Sequence, residues 1–130
     1  MSALTGCRIL VVEDEYLLSR QLTRALEREG ASVACVPTVF AALASLARAS
    51  APDVAVLDVN LAGTKVYPVA EELARRSVPF VFCSGYDAED RDPRYADAAH
   101  LTKPIAMPVL LRCLTGLIAS GKLPAPHVDT

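Results

Sequence analysis

The stretch RILVVEDEYLL, residues 8–18, runs from apolar residues through three acids into the start of a helical pattern. Its apolar part has the length and composition of a buried strand. The segment after it carries leucines at the i, i+4, i+8 spacing of an amphipathic helix: Leu18, Leu22 and Leu26. The acids before that helix stand at the mouth of a strand, where like charges repel and burial is costly unless they are paired. Either water or a cation must stabilise this junction.

The same alternation of apolar runs and helical patterns continues along the chain. Five runs are predicted to be strands: residues 7–12, 31–36, 52–58, 78–84 and 98–102. The second helix is predicted to begin after Thr38 as its N-cap, the third to span about residues 67–76 with Pro68 in its first turn, and the last to span about residues 108–121. Because the strands are almost continuously apolar, we predict a parallel sheet covered on both faces, in a doubly wound α/β domain.

One helix of this repeat has a weak pattern. Residues 85–98, GYDAEDRDPRYADA, contain Pro93 and no apolar stripe. We therefore predict a fourth helix that is short or disordered, with at most one or two turns at about residues 88–91. The segment from Asp87 to Asp97 is expected to be the most mobile internal part of the fold, because it has little apolar surface to bury.

Length and composition restrict the class of protein. The 130 residues suffice for one domain, predicted over residues 1–121 with a flexible tail at 122–130. A hydrophobic content of 52% and a mean hydropathy of +0.32 argue against disorder. A net charge of −2 with scattered Lys and Arg argues against nucleic acid binding. No apolar run reaches the roughly 20 residues of a membrane span, and the N-terminus lacks a signal-peptide pattern, so we expect a cytoplasmic protein.

The four cysteines are far apart and form no Cys-x-x-Cys pair. A zinc site is therefore not expected. Cys7, Cys35 and Cys83 fall in predicted strands and Cys113 falls on the apolar face of the last helix. We expect all four to be small buried hydrophobic side chains.

Polar groups follow the predicted strands at the end where parallel sheets carry their functional sites. In chain order they are Glu13, Asp14, Asp58, Ser84 and Lys103. Each alone has an ordinary explanation, such as an acid favoured at a helix N-terminus, a turn at the end of a strand or a solvated lysine. Because all five occur at the same edge of the sheet, we expect them to share one pocket.

Together these side chains favour one kind of chemistry. Oxygen ligands at this density suit Mg²⁺, which would offset the mutual repulsion of Glu13, Asp14 and Asp58. A carboxylate beside Mg²⁺ can act as a nucleophile toward a phosphoryl group and form an aspartyl phosphate. A lysine and a hydroxyl would then bind the phosphoryl oxygens, where charge develops during transfer.

Four motifs in this order, LVVEDE, VLDVN, FCSGY and HLTKP, resemble the receiver domain of bacterial two-component response regulators over about residues 6–120. The resemblance implies a flavodoxin-like (βα)5 fold with strand order 2-1-3-4-5. It also implies a direct Mg²⁺ ligand in Asp14, one acting through water in Glu13, and a backbone carbonyl ligand in Asn60. Asp58 would be the phosphoacceptor. Ser84 would be the switch hydroxyl and Lys103 the phosphoryl-binding lysine, with a cis bond to Pro104.

The stretch PFVFCSGYD is similar to the Phe-Ala-Thr-Gly signature of single-domain receivers called the FATGUY type. This similarity implies a stand-alone regulator rather than an enzyme. It would take phosphate from a histidine kinase or a histidine phosphotransfer protein. It would then act through contact with a protein partner, as a phosphate relay or as a phosphate sink. We expect a monomer or a weak dimer.

The chain departs from the receiver pattern at positions that affect switching. Receivers carry Tyr or Phe three residues before the lysine, and this chain has His100 there. His100 is interpreted either as a switch residue or as an ordinary histidine at the end of a strand. Ala62 replaces the usual proline four residues after the phosphoacceptor. Tyr86, two residues after Ser84, is expected to shield the aspartyl phosphate from water and prolong its life; the alternative is a role in partner docking.

Two other functions were weighed against this one. A Mg²⁺-dependent phosphohydrolase with an aspartyl-phosphate intermediate uses similar residues, but its nucleophile comes early in the chain and its acidic pair late, the reverse of the order here. A nucleotide or flavin binder needs a Gly- or Ser-rich phosphate cradle after the first strand. Three acids there would repel phosphate, so this alternative is rejected.

Overall fold

The computed structural model describes residues 2–85 and 92–120. Its strands are β1 Arg8–Val12, β2 Ser32–Val36, β3 Val54–Asp58, β4 Asn60–Leu61, β5 Thr64–Lys65, β6 Phe80–Ser84 and β7 Ala99–Thr102. The helices of the described residues are α1 Tyr16–Arg28, α2 Val39–Arg48, α3 Tyr67–Arg75 and α4 Met107–Ser120.

Five strands form a parallel sheet in the order β2-β1-β3-β6-β7. This order confirms the predicted doubly wound, flavodoxin-like architecture. In the register, Val12 of β1 lies beside Leu57 of β3, and Asp58 lies beside Cys83 of β6. The carboxyl ends of the three central strands are therefore adjacent, which brings the groups that follow them to one edge of the sheet.

The core consists of two apolar layers, one on each face of the sheet. Side chains alternate along β1, so Leu10 and Val12 join the layer under α2 and α3, while Ile9 and Val11 join the layer under α1 and α4. All five residues of β3 are buried. The strand that ends in Asp58 is thus held rigidly in the centre of the domain.

Two expectations about burial were wrong. Strand β2 is partly exposed along its length, because it forms an edge of the sheet and only β1 pairs with it. Of the cysteines, Cys83 is buried as expected, but Cys35 on this edge strand is exposed. Cys7 and Cys113 are half-buried, and Cys7 precedes β1 rather than belonging to it.

The predicted helix starts are largely confirmed. The hydroxyl oxygen of Thr38 accepts a hydrogen bond from the backbone N–H of Ala41 at 3.0 Å, which caps α2. Pro68 lies in the first turn of α3, where its missing N–H costs nothing. Helix α4 begins at Met107, one residue before the predicted Pro108.

The fourth helix that the sequence predicts falls largely on residues outside the described part of the chain. Residues 88–91 lie outside the described residues, and the mobility predicted for Asp87 to Asp97 stays a prediction. The described part contains a 3-10 turn, Pro93–Tyr95. Tyr95 is buried and stacks on Tyr67 with ring centroids 5.7 Å apart, so the expectation of little apolar surface was wrong for this residue.

A two-residue hairpin follows Asp58 where only a loop was predicted. Strands β4 and β5 pair antiparallel, and the residues between them, Ala62 and Gly63, have φ of 53° and 90°. Positive φ at both positions is the mark of a type I′ turn. Proline, whose φ is fixed near −65°, could not occupy position 62 in this turn. The hairpin therefore accounts for Ala62 in place of the usual proline.

Replacing Ala62 by Asn is expected to stabilise the fold by about 0.5–1 kcal/mol, because Asn tolerates the left-handed conformation better than Ala. The free energy of unfolding in urea measures the effect. Ala62→Val is the matched control and is expected to destabilise, since a β-branched side chain is strained at positive φ. A stabilising Val or a destabilising Asn would contradict the assigned turn.

Candidate functional site

Two carboxylates are buried at the carboxyl ends of β1 and β3. Glu13 is 4% exposed and Asp58 is 5% exposed. They are the buried charged residues among residues 2–85 and 92–120. A buried carboxylate must be paired or hydrogen-bonded to be stable, so their partners define the site.

Lys103, after β7, binds both of these carboxylates. Its Nζ lies 3.1 Å from Oε1 of Glu13 and 3.4 Å from Oδ2 of Asp58. The backbone N–H of Lys103 donates to the carbonyl oxygen of Ser84 at 2.7 Å. The Lys103–Pro104 bond is cis, as predicted. The lysine thus spans from the edge strand to the centre of the sheet.

The remaining oxygen of each carboxylate accepts a hydrogen bond from the backbone. The N–H of Asn60 donates to Oδ1 of Asp58 at 3.3 Å, and the N–H of Glu15 donates to Oε2 of Glu13 at 3.0 Å. The side chain of Asn60 turns away into the hairpin, where its Oδ1 accepts from the N–H of Gly63 at 2.9 Å. Both buried carboxylates are therefore oriented from two sides.

Burial and charge shift the pKa values of this cluster. Burial, and next the charge of Glu13, raise the pKa of Asp58 to about 7, and the charge of Lys103 only partly offsets them. Burial would lower the pKa of Lys103, but the carboxylates of Asp58 and Glu13 outweigh it and hold that pKa above its usual value. Near neutral pH, Lys103 is therefore protonated, but its charge does not suffice to keep Asp58 fully ionised.

A third carboxylate completes the cluster from the solvent side. Asp14 is exposed, and one oxygen each from Glu13, Asp14 and Asp58 lie within 4.8 Å of one another. Three carboxylates face a single ammonium group, so the cluster carries excess negative charge. Carboxylate oxygens are the ligands that Mg²⁺ prefers, and this donor set fits that cation.

The predicted site residues separate into two groups. Glu13, Asp14, Asp58 and Lys103 converge as expected, with Asn60 adjoining them through its backbone N–H. Ser84 belongs to a second contact, because its Oγ lies 3.0 Å from Nε2 of His100. Tyr86 lies outside the described residues. The catalytic and metal-binding roles of all these residues stay predictions.

Two contacts were not predicted: the direct pairing of Glu13 with Lys103, and the hydrogen bond between Ser84 and His100. The second contact follows from the strand register. His100 lies beside Phe82, and Phe82 and Ser84 are two residues apart in β6, so the side chains of His100 and Ser84 lie on the same face of the sheet. Only the alignment of β6 with β7, which the sequence does not show, reveals it.

The family model described as the response regulator receiver domain matches residues 9–115. The chain belongs to this family. The structure of SdrG from Sphingomonas melonis has 42% sequence identity to it, covers 91% of this chain and 99% of that chain, and superposes with a TM-score of 0.76. A response regulator receiver protein from Sinorhizobium medicae has 25% identity, with 90% and 98% of the two chains covered and a TM-score of 0.74.

A longer relative is the transcriptional regulatory protein TcrA from Mycobacterium tuberculosis. The alignment is 35% identical over 127 positions, and it covers 94% of this chain and 50% of TcrA. The receiver chain therefore spans about half the length of this curated relative. No helix among the described residues has both the length and the apolar composition needed to cross a bilayer.

The raised pKa of Asp58 predicts how the receiver responds to pH without Mg²⁺. In the unfolded chain this carboxyl titrates near 4, so the folded state holds the proton more tightly and loses stability as the pH rises from about 4 to about 7. Asp58→Asn mimics the protonated form. It is expected to stabilise the metal-free domain, by roughly 2 kcal/mol more at pH 8 than at pH 5, since one pKa unit corresponds to about 1.4 kcal/mol.

Urea unfolding of both proteins in EDTA at the two pH values measures this difference. Saturating Mg²⁺ is the control, because a bound cation would stabilise wild type at pH 8 and shrink the gap. The same gap at pH 5 and pH 8 in EDTA would contradict a raised pKa for Asp58.

Proposed function

We propose that this receiver domain accepts a phosphoryl group on Asp58 in a Mg²⁺-dependent reaction. The observation that carries the proposal is the environment of that carboxylate. Asp58 is buried at the end of the central strand, with Lys103 at one oxygen, a backbone N–H at the other, and two more carboxylates beside it. A structural ion pair with Lys103 would need only one carboxylate, and it would not need the exposed Asp14.

In this proposal Glu13, Asp14 and Asp58 would hold Mg²⁺, with the backbone carbonyl of Asn60 as a further ligand. When bound, the cation would supply positive charge to offset that of the phosphoryl oxygens during transfer. A carboxylate oxygen of Asp58 forms the new bond to phosphorus, and the donor's leaving group departs with the electron pair of the broken bond. Lys103 pairs with the phosphoryl oxygens and Ser84 donates a hydrogen bond to them.

The donor in this proposal is a phosphohistidine on a histidine kinase or a histidine phosphotransfer protein. The phosphorylated domain acts in the cytoplasm by contact with a protein partner, or passes the phosphate on, or serves as a sink. In this proposal the receiver domain spans residues 1–121, with a tail at 122–130. The state of assembly is a monomer or a weak dimer.

A kinase-free assay tests the proposal and separates it from phosphohydrolase activity. The protein is incubated with Mg²⁺ and acetyl phosphate, and its intact mass is measured with and without EDTA. We expect the mass of one phosphoryl group to be added in Mg²⁺ alone. Multiple turnover of p-nitrophenyl phosphate would instead favour the phosphohydrolase. If no small phosphodonor adds the mass of a phosphoryl group to the protein in Mg²⁺, the proposed function is contradicted.

A further inference from the structure

The free edge of the sheet along β2 presents backbone groups that β1 does not satisfy. The backbone N–H of Ser32 donates to the carbonyl oxygen of Cys7 at 2.8 Å, so Ser32 turns its backbone groups toward the interior of the sheet. Along a strand the backbone groups of successive residues point to opposite sides, so those of Val33 and Cys35 point away from β1. Strand β2 therefore offers two N–H donors and two carbonyl acceptors to a further strand.

This edge lacks the features that normally keep other strands away. Edge strands of natural proteins usually carry a charged side chain, a proline or a bulge. The five residues of β2, SVACV, contain neither charge nor proline, and their register with β1 is continuous. Ala34 and Cys35 are exposed on this strand. The edge is therefore open to pairing with a strand of another chain.

A second copy of β2, running antiparallel, fits this edge in one register. A two-fold axis through Ala34 places Val33 opposite Cys35 of the second copy, and Cys35 opposite its Val33. Each of these pairs exchanges two hydrogen bonds, so the free groups of both strands are all satisfied. An axis through Cys35 would instead set Val33 against Pro37, which has no N–H. An axis through Val33 would set Cys35 against Ala31, whose N–H already donates to a carbonyl oxygen of α1 at 3.2 Å.

Helix α1 runs beside this edge, and its position determines which of its side chains meet the second copy. Because β1 and β2 are parallel, the helix between them runs antiparallel to β2. Cys35 lines a groove together with Ser19 and Thr23 of α1. A strand rises about 3.3 Å per residue and a helix about 1.5 Å, so Ala34 lies about two residues further along α1, level with Thr23. The axis through Ala34 therefore passes alongside the middle of α1.

The charges of α1 complement one another across this axis. Arg20 and Glu27 line the same groove, about equally far before and after Thr23. The axis therefore places Arg20 near Glu27 of the second copy, and by symmetry the contact occurs twice. Both side chains are exposed, and neither forms an ion pair within the described part of the chain. Arg24 lies beside the axis and faces its own counterpart, which opposes association.

We propose that β2 and the neighbouring face of α1 form a self-complementary interface through which two copies of this receiver domain associate. The two sheets join into one continuous sheet, with backbone hydrogen bonds at its centre and the two contacts between Arg20 and Glu27 on one face. The two Asp58 sites lie at opposite ends of this sheet, because the paired β2 strands are antiparallel. The strands are short and Arg24 opposes its counterpart, so the dimer is weak. The association does not depend on phosphorylation of Asp58.

Disulfide trapping tests the register. In the full chain carrying Cys35→Ser, Ala34→Cys places two thiols in the central pair, where the Cα atoms lie about 4.5 Å apart, within the range of a disulfide. Glutathione disulfide is expected to convert this variant to a covalent dimer, and peptide mass spectrometry identifies the link. Ser32→Cys is the matched control: it lies on the same face of β2, but its two copies in the dimer are at least about 13 Å apart. Equal trapping at both positions, or none at position 34, overturns the proposed interface.

Sedimentation equilibrium of the full chain tests the contacts of α1. Wild type is expected to be partly dimeric at about 1 mM. Arg20→Glu and Glu27→Arg should each lower the association constant about tenfold, because each turns an attraction into a repulsion at two symmetric sites. The variant with both changes regains the attraction and should return to within about twofold of wild type.

Arg24→Gln removes the repulsion at the axis and should strengthen association. Circular dichroism checks that every variant is folded. A wild type that stays monomeric, or a variant with both charge reversals that associates as weakly as the single ones, contradicts the proposed interface.

Discussion

Asp58→Asn is expected to reduce phosphorylation of the receiver domain by acetyl phosphate below detection. In Asn, one carboxylate oxygen of Asp58 is replaced by an NH2 group, and the remaining amide oxygen is neutral and a poor nucleophile. The substitution keeps the size of the side chain. The variant should remain folded, because it replaces a buried carboxylate, which burial disfavours, by a neutral amide. Intact mass after incubation with Mg²⁺ measures the result.

The matched control is Asp53→Asn, just before β3 and at the opposite end of the strand. Asp53 is exposed, and its Oδ2 accepts a hydrogen bond from the backbone N–H of Arg8 at 2.8 Å, which an Asn oxygen can replace. This variant should be phosphorylated like wild type. Equal phosphate uptake by Asp58→Asn and wild type would place the acceptor elsewhere in the chain.

Asp14→Ala is expected to weaken Mg²⁺ binding by about tenfold or more. Even residues that only orient metal ligands typically contribute roughly 10–100-fold to affinity, and Asp14 is proposed as a direct ligand. Since Asp14 is exposed, its loss should leave the fold intact. Isothermal titration of the metal-free protein with Mg²⁺ gives the affinity.

Glu15→Ala provides the comparison for this experiment. Glu15 adjoins Asp14 and is also exposed, but its side chain is not part of the three-carboxylate cluster. Its backbone N–H, which donates to Glu13, is kept in the variant. General loss of surface charge would weaken Mg²⁺ binding equally in both variants, and that outcome would remove Asp14 from the proposed ligand set.

The sequence predicted the fold well where burial is complete. Strands β1, β3 and β6 are central and covered on both faces, so their residues form continuous apolar runs that the pattern identifies. The strand-end rule then brought together Glu13, Asp58 and Lys103, because the carboxyl ends of parallel strands share one edge. These features follow from local composition plus one topological rule.

The features that were missed depend on tertiary placement or on backbone conformation. The apolar residues of β2 do not reveal that it is an edge strand with an exposed Cys35. The hairpin after Asp58 places Ala62 at positive φ, against its intrinsic preference. The burial of Tyr95 against Tyr67 joins residues far apart in the chain. None of these has a local signal.

Reductive trapping of the phosphorylated protein tests the assignment of the acceptor most directly. Borohydride cleaves an aspartyl phosphate and leaves homoserine at the modified position, which peptide mass spectrometry locates. After treatment with Mg²⁺ and acetyl phosphate, we predict homoserine at position 58 and at no other aspartate of the chain. Homoserine at Asp14 or another aspartate, with Asp58 unchanged in a protein that has gained phosphate, would contradict the account.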